Sequence, residues 1–225
     1  MKKSGKTGIV IGALLILAFV LWTGVVLFVN VKPLGVNGTD IGLADLNVRF
    51  HELTGEHMSI YDLTDWLGLV PILVCIGFII LGAVQLFTRR SLKKVDADIL
   101  LLGLYYFVVI CAYLFFEVVP VNYRPILIEG KMEASYPSST TLLVLSVMPT
   151  LAFQVNNRVS NWTVKTVVTV CVAAFSAFMV IARLICGVHW LSDIIGGVLL
   201  STGLYLLYRS AVVRWCGQKG KRERS

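Results

Sequence analysis

The sequence lacks the paired cysteines and clustered histidines from which disulfide frameworks and metal sites are built. Its five cysteines lie inside or beside apolar segments without paired spacing, so we interpret them as packing residues. Two of its three histidines, His51 and His57, are close in sequence but have no third ligand at a suitable spacing. We therefore expect neither a metal site nor a cofactor.

A separate soluble domain is also missing. Hydrophobic residues make up 57% of the chain and the mean hydropathy is +0.81, whereas soluble domains contain about 45–50% apolar residues. The net charge of +7 resides in short basic clusters beside apolar runs, which argues against a nucleic-acid partner. A single membrane domain over residues 1–225 is predicted.

No cleavage site of the A-x-A type follows the first apolar run, at residues 9–29. This run is also longer than the roughly 7–15 apolar residues of a secretory signal peptide. We therefore expect a retained first helix.

Six apolar runs are long enough to cross a bilayer core of about 30 Å, alone or with their flanking residues. In lipid each run must be helical, because only a helix satisfies its own backbone groups. The predicted fold is an all-α six-helix transmembrane bundle with both termini on one side. The runs cover residues 9–29, 67–87, 99–119, 140–155, 164–185 and 194–208.

The distribution of basic residues predicts the orientation. Of the 20 lysines and arginines, 15 lie on the side of the termini, and the other five are Lys32, Arg49, Arg124, Lys131 and Arg183. Because cytoplasmic loops retain an excess of Lys and Arg, both termini are predicted to be cytoplasmic. The chain is then a multi-pass protein of a cell membrane, compatible with a bacterial plasma membrane.

Within this domain, residues 1–98 are predicted to contain the first two helices, and residues 209–225 are predicted to form a basic cytoplasmic tail. Between the first two helices, residues 30–66 form a long outer segment. Helical spacing of Leu43, Leu46, Phe50 and Leu53 favours a short amphipathic helix in that segment.

Polar residues gather at one end of the last four predicted helices. Charged residues at membrane depth are costly and usually line a functional cavity. Glu117 ends the third helix, Pro137–Thr140 opens the fourth, and Arg183 ends the fifth. His189 and Asp193 open the sixth. All are expected on the outer side.

This pattern resembles the type-2 phosphatidic acid phosphatase superfamily, whose motifs read K-x6-R-P, P-S-G-H and S-R-x5-H-x3-D. The third motif is present as Arg183, His189 and Asp193 at the family spacing, followed by an apolar helix. The first survives as Arg124-Pro125 and the second as Pro137-Ser138. The resemblance covers residues 99–208 and implies a phosphatase-like core there.

The spacing of the third motif has a chemical rationale of its own. His189 and Asp193 are four positions apart, so on a helix their side chains would meet on one face. A carboxylate on Nδ1–H exposes Nε2 and stabilises the charge that develops when this nitrogen attacks phosphorus. Arg124 and Arg183 are predicted to bind the phosphoryl oxygens, assisted by Ser138, Ser139 and the N-termini of the fourth and sixth helices.

Three positions depart from the family pattern. Glu117 replaces the lysine of the first motif, Ser139-Thr140 replaces Gly-His of the second, and Ala182 replaces the serine of the third. The family's second-motif histidine is the general acid, worth about 10²–10⁴-fold, and the hydroxyl of Thr140 does not titrate near neutral pH. Thr140 therefore predicts slow release of alkoxide leaving groups.

Several compensations remain open from the sequence. Glu117 or Glu133 with a raised pKa would serve as the acid, or a lipid diphosphate would need no acid because phosphate is a good leaving group. Alternatively, Glu117 recognises a cationic headgroup, or Lys131 supplies the missing positive charge.

The leading hypothesis is an integral-membrane lipid phosphatase or phosphotransferase that acts on lipid phosphates or diphosphates at the outer face through a phosphohistidine. It needs no metal, and its expected partner is a phosphorylated membrane lipid. The alternative is a weakly active or inactive relative that binds or moves phosphorylated lipids. A structural or transport role remains as a third possibility.

Overall fold

The computed structural model describes the backbone of residues 2–222 and the side chains of residues 5–215. In that part of the chain the secondary structure is helical, apart from two short 3-10 turns and three isolated β-bridges. The α-helices are α1 Lys2–Phe28, α2 Ala44–Thr54, α3 Met58–Leu67, α4 Leu69–Arg89, α5 Ala97–Val118, α6 Ser139–Arg158, α7 Trp162–Ile185 and α8 Leu191–Arg222. Of the predicted basic tail, residues 223–225 lie outside the described residues.

Six spans within the described residues are long and apolar enough to cross a membrane. They correspond to α1, α3 with α4, α5, α6, α7 and α8. The predicted all-α six-helix bundle of a multi-pass membrane protein is therefore confirmed.

The second span begins at Met58, earlier than the apolar run at residues 67–87 indicates. Gly68 has helical angles of φ −59° and ψ −18°, so α3 and α4 follow one another almost without a break. Asp62 and Asp65 interrupt the apolar pattern but not the helix, because their backbone groups bond within α3. Part of the predicted outer segment thus extends the second span.

The α1–α3 connection, residues 29–57, contains the predicted short helix as α2. The leucine stripe of that helix is not its buried face, since Leu46 and Leu53 are exposed. Ala44 and Asn47 are buried instead. The connection lies against the start of α8, where Asn47 makes hydrogen bonds described below.

The centre of the bundle is formed by α6 and α8, which are the most buried spans. Helix α1 packs along α8, where Gly12 and Gly203 face each other. A Cβ atom at Gly12 would lie 3.0 Å from the carbonyl oxygen of Gly203, so the small residues permit this close helix contact.

Ion pairs tie α4, α5 and α6 together at the start of α5. Arg89 and Arg158 both donate to the carboxylate of Asp96, at 2.6 and 3.0 Å. Its hydrogen bond from Arg89 holds the pKa of Asp96 below its usual value, although burial opposes this. The polar residues singled out in the sequence lie at the opposite end of α5, around the α5–α6 hairpin at residues 119–138.

Candidate active site

His189 lies in the turn between α7 and α8, two residues before α8 begins at Leu191. The expectation that His189 lies on the helix is therefore wrong. The helix cannot continue through this turn because Gly187 has a φ of +78°, a conformation that glycine adopts readily. The α1–α3 connection holds the turn, since His57 N–H donates to the Cys186 carbonyl oxygen at 3.0 Å.

Asp193 is nevertheless brought close to His189. Its Oδ2 lies 3.8 Å from His189 Nδ1, which is longer than a hydrogen bond. The same oxygen accepts a hydrogen bond from the Trp190 N–H at 2.9 Å, as in a helix N-terminal cap. The other oxygen accepts from Asn122 at 3.3 Å. Asp193 thus shapes the start of α8 as well as facing the imidazole.

The imidazole of His189 is enclosed by the protein. Its side chain is 1% exposed, and neither ring nitrogen has a hydrogen-bond partner among the described residues. Burial lowers the pKa of His189 to about 4; the nearby Asp193 carboxylate opposes this shift, and the charges of Arg124 and Arg183 add to it. At neutral pH the ring is therefore uncharged, as a nucleophile must be.

Arg183, which is 2% exposed, is held by Thr140. Its Nε and Nη2 donate to Thr140 Oγ1 at 3.0 and 2.6 Å. Its Nη1 donates to Thr64 at 3.2 Å, and Nη2 lies 3.5 Å from an oxygen of Asp65. The residue that stands where the family has its acid is therefore the acceptor that orients Arg183.

Arg124 lies in the α5–α6 hairpin and faces Tyr61. Its backbone N–H donates to the Glu133 carbonyl oxygen at 3.0 Å, and its Nε lies 3.1 Å from a Glu133 carboxylate oxygen. The guanidinium carbon lies 5.9 Å from the centre of the Tyr61 ring, and that of Arg183 lies 4.9 Å from the same ring. Tyr61 thus contacts both arginines through cation–π interactions.

Ser138 and Ser139 take different positions. Ser138 is fully buried and caps α6, with its hydroxyl accepting from the Thr141 N–H at 3.5 Å. Its own N–H donates to the Asp193 carbonyl oxygen at 3.1 Å. Ser139 is half-buried and lines both cavities described below, so it is the serine that a ligand can contact.

Two backbone N–H groups at the N-terminus of α8, which is expected to help bind an anion, are already bonded within the protein. The Ser192 N–H donates to Asn47 Oδ1 at 3.1 Å, and the Trp190 N–H is bonded to Asp193. Asn47 also donates to the Ser192 hydroxyl at 2.9 Å. These amides therefore cannot bind phosphate without breaking protein hydrogen bonds.

Two cavities adjoin the start of α6. A polar cavity of about 190 Å³ is lined by Glu117, Arg124, Glu133 and Ser139, among others. An apolar cavity of about 550 Å³ lies between α4, α5 and α6 and extends to Asp65, Ser139 and Thr140. Lys131 is exposed at the tip of the hairpin and lines neither cavity.

Sequence reasoning missed the contribution of residues 30–66. Tyr61, Thr64 and Asp65 contact the arginines, while Asn47 and His51 hold the start of α8 and the preceding turn. The signal for Tyr61, Thr64 and Asp65 was polar residues immediately before an apolar run, whereas Asn47 and His51 had no such signal. Among the described residues, no group of three or more His, Cys, Asp or Glu side chains could hold a metal ion.

Comparisons with known proteins agree with this architecture. A model of the PAP2 superfamily matches residues 74–215. The fold is similar to the crystal structure of a transmembrane PAP2-type phosphatidylglycerolphosphate phosphatase from Bacillus subtilis, with a TM-score of 0.61 and 17% identity over 93% of this chain and 96% of that one. Among curated proteins no sequence match was found.

Proposed function

The chain belongs to the PAP2 superfamily, and we propose that it is an integral-membrane lipid phosphatase or phosphotransferase that works through a phosphohistidine at His189. The family match supports a lipid phosphatase. The proposal of a phosphohistidine is supported by the environment of His189. Its imidazole is neutral and buried, near one carboxylate and two guanidinium groups.

In the proposed step, the lone pair of His189 Nε2 attacks phosphorus while the bond from phosphorus to the leaving oxygen breaks. Asp193 faces Nδ1 and stabilises the positive charge that the ring acquires. Arg124 and Arg183 hold the phosphoryl oxygens. Water, or an acceptor alcohol in a transferase, then attacks phosphorus. The phosphorus–nitrogen bond breaks, its electron pair returns to Nε2, and the proton of the attacking hydroxyl passes to the departed oxygen or to solvent. No metal takes part in this sequence.

Access to His189 requires side chains to move, because its ring is enclosed. Tyr61 contacts both guanidinium groups, so an incoming phosphate competes with this ring and with the carboxylates of Glu133 and Asp65 for the arginines. Charge-assisted hydrogen bonds to phosphate are stronger than contacts with a ring face. Substrate binding therefore rearranges these side chains.

The leaving group is proposed to depart without strong acid assistance. Thr140 donates no proton near neutral pH, and its oxygen already accepts from Arg183. Lipid diphosphates, from which a lipid monophosphate departs, should therefore react faster than lipid monophosphates, from which an alkoxide departs. Glu117 and Glu133 line the adjoining polar cavity and remain candidates for a general acid that partly replaces the missing histidine.

The apolar cavity of about 550 Å³ supports a lipid substrate. It reaches from the membrane-spanning parts of α4, α5 and α6 to Ser139 and Thr140. A lipid chain in this cavity would bring its phosphate to the polar end. The excess of Lys and Arg at the other end of the bundle supports an active site on the outer face of a cell membrane, and a bacterial plasma membrane fits this.

A second candidate function is binding or movement of phosphorylated lipids without turnover. It is favoured by the carboxylates beside both arginines, at 3.1 and 3.5 Å. The 3.8 Å separation of His189 and Asp193 also favours it, because a bonded pair would activate the imidazole more strongly.

Phosphate release by the purified protein separates the two functions. The substrates would be phosphatidate, phosphatidylglycerophosphate, a polyprenyl diphosphate and a phosphodiester lipid. We expect release from at least one lipid, fastest with the diphosphate, and loss of release in His189→Ala but not in the exposed control His57→Ala. Binding of these lipids with neither phosphate release nor phosphate transfer to an added alcohol acceptor would contradict the enzyme and support the second function.

A further inference from the structure

The polar cavity beside α5 has a lining suited to a cation. Its volume is about 190 Å³, and its charged groups are the carboxylates of Glu117 and Glu133 and the guanidinium of Arg124. One negative charge is thus in excess. Aromatic rings complete the wall, from Tyr113, Phe116 and Tyr136. Carboxylates together with aromatic faces are the groups that bind an ammonium ion.

Two buried polar groups in the same lining, one nitrogen of Arg124 and the hydroxyl of Ser135, have no hydrogen-bond partner among the described residues. The side chain of Arg124 is 9% exposed and its Nη1 makes no hydrogen bond with the described residues. Ser135 is 2% exposed, and its hydroxyl likewise has no partner there. Buried polar groups are normally hydrogen-bonded, so these groups indicate a polar ligand in the cavity.

Glu117 is the carboxylate that remains available for such a ligand. Glu133 already lies 3.1 Å from Arg124 Nε, whereas Glu117 is exposed and has no ion pair among the described residues. A lysine at position 117, as in the family motif, would repel an ammonium group. The reversed charge therefore changes which headgroups the cavity accepts.

The polar and apolar cavities adjoin. Tyr113, Ser139 and Leu142 line both of them. A single lipid can therefore place its chains in the apolar cavity and its headgroup in the polar one, with its phosphate between them beside Arg124 and Ser139.

We propose that the polar cavity binds the ammonium group of a zwitterionic phospholipid headgroup, whose phosphate contacts Arg124. This inference rests on the proposed function in its phosphotransferase form, because a zwitterionic phospholipid is a phosphodiester that would serve as the phosphoryl donor of the same site. It assigns Glu117 as a specificity-determining residue, in direct contact with the ammonium group.

Binding of short-chain lipids to the purified full-length protein in detergent tests the inference by isothermal titration calorimetry at pH 7. The probes are dihexanoyl phosphatidylethanolamine, dihexanoyl phosphatidylpropanol, in which a methyl group replaces the ammonium group, and dihexanoyl phosphatidate. We expect the ethanolamine lipid to bind about tenfold more tightly than the propanol lipid. Free phosphorylethanolamine should bind far more weakly, because it has no chains for the apolar cavity.

Two glutamine variants locate the effect. Glu117→Gln should bring the ratio of the two affinities close to one, because the ethanolamine lipid loses the partner of its ammonium group. The matched control is Glu129→Gln, at the exposed hairpin turn and outside both cavities, which should keep the original ratio. The comparison of lipids on the unmodified protein tests the inference even if a variant does not fold.

Equal binding of the ethanolamine and propanol lipids, with phosphatidate still bound and hydrolysed, would overturn this inference and leave the proposed function standing. Failure of the ethanolamine lipid to bind would overturn this inference, whereas the proposed function would fall only if phosphatidate and a polyprenyl diphosphate also failed to react. Equal binding of phosphorylethanolamine and the ethanolamine lipid would show that the cavity serves a soluble ligand and would contradict the lipid assignment.

Discussion

Replacing Thr140 by valine should destabilise the protein and impair the site, because Thr140 Oγ1 is the acceptor for two donors of a buried arginine. Valine keeps the size and shape of the side chain but removes the oxygen. Arg183 Nε then loses its partner, and Nη2 retains only Asp65 at 3.5 Å. Hydrogen bonds of charged groups contribute about 1.5–3 kcal/mol each.

Since both donors share one acceptor, we expect a loss of about 2–3 kcal/mol of stability rather than twice that value. This corresponds to a fall in Tm of about 4–12 °C for a chain of this size. Phosphate release should fall as well, because Arg183 is no longer oriented. Thermal unfolding of the purified protein in detergent and a phosphate-release assay measure the two effects.

The neighbouring Thr141 provides a matched control. It is also buried, at 1% exposure, but its hydroxyl has no partner among the described residues. Thr141→Val should therefore leave stability unchanged or raise it. If Thr140→Val is as stable and as active as the unmodified protein, Thr140 does not orient Arg183.

Three further predictions follow from the site and the topology. Because the pKa of His189 is about 4 in the folded protein and 6.5 in an unfolded chain, the unfolded state binds more protons between these values. The free energy of unfolding should have its full value above pH 6.5 and fall by about 3 kcal/mol as the pH drops to about 4. Urea unfolding at several pH values measures this loss, which would be absent if the imidazole is exposed. Gly187→Ala should abolish activity, because a Cβ atom there meets a backbone carbonyl oxygen of the α1–α3 connection. The control is Gly130→Ala, where φ is similar but the surrounding space is open. This variant should lose only about 1–2 kcal/mol of stability. In intact cells an impermeant thiol reagent should label Glu129→Cys but not Ser91→Cys, and the reverse result would invert the predicted orientation.

Hydropathy predicted the bundle but not the start of its second span. Each apolar run must become a helix in lipid, so the number and type of spans followed from composition. Hydropathy did not predict helix α3 as part of the second span, because Asp62 and Asp65 interrupt the apolar run without interrupting the helix. Hydropathy measures transfer into lipid, whereas α3 is polar where it faces Arg183.

Motif spacing predicted the proximity of His189 and Asp193, but not its cause. The two residues come close because Asp193 caps α8 while Gly187 turns the chain before it, not because they share a helix. Arg183, which donates to Thr140, lies 43 positions away in sequence, and Ser192, which bonds to Asn47, lies 145 positions away. Contacts of this range depend on how the helices pack, which a local pattern does not contain.

The central claim is that His189 forms a bond to phosphorus during turnover. The protein would be mixed with a lipid diphosphate or phosphatidate labelled at the terminal phosphate, quenched in alkali within a turnover, and analysed by mass spectrometry of its peptides. We expect an acid-labile, alkali-stable phosphate on His189, and none in His189→Ala. The phosphate should accumulate in Asp193→Asn if breakdown of the intermediate slows more than its formation. Turnover at the original rate by a folded His189→Ala protein, or a phosphate found on another residue, would contradict the account.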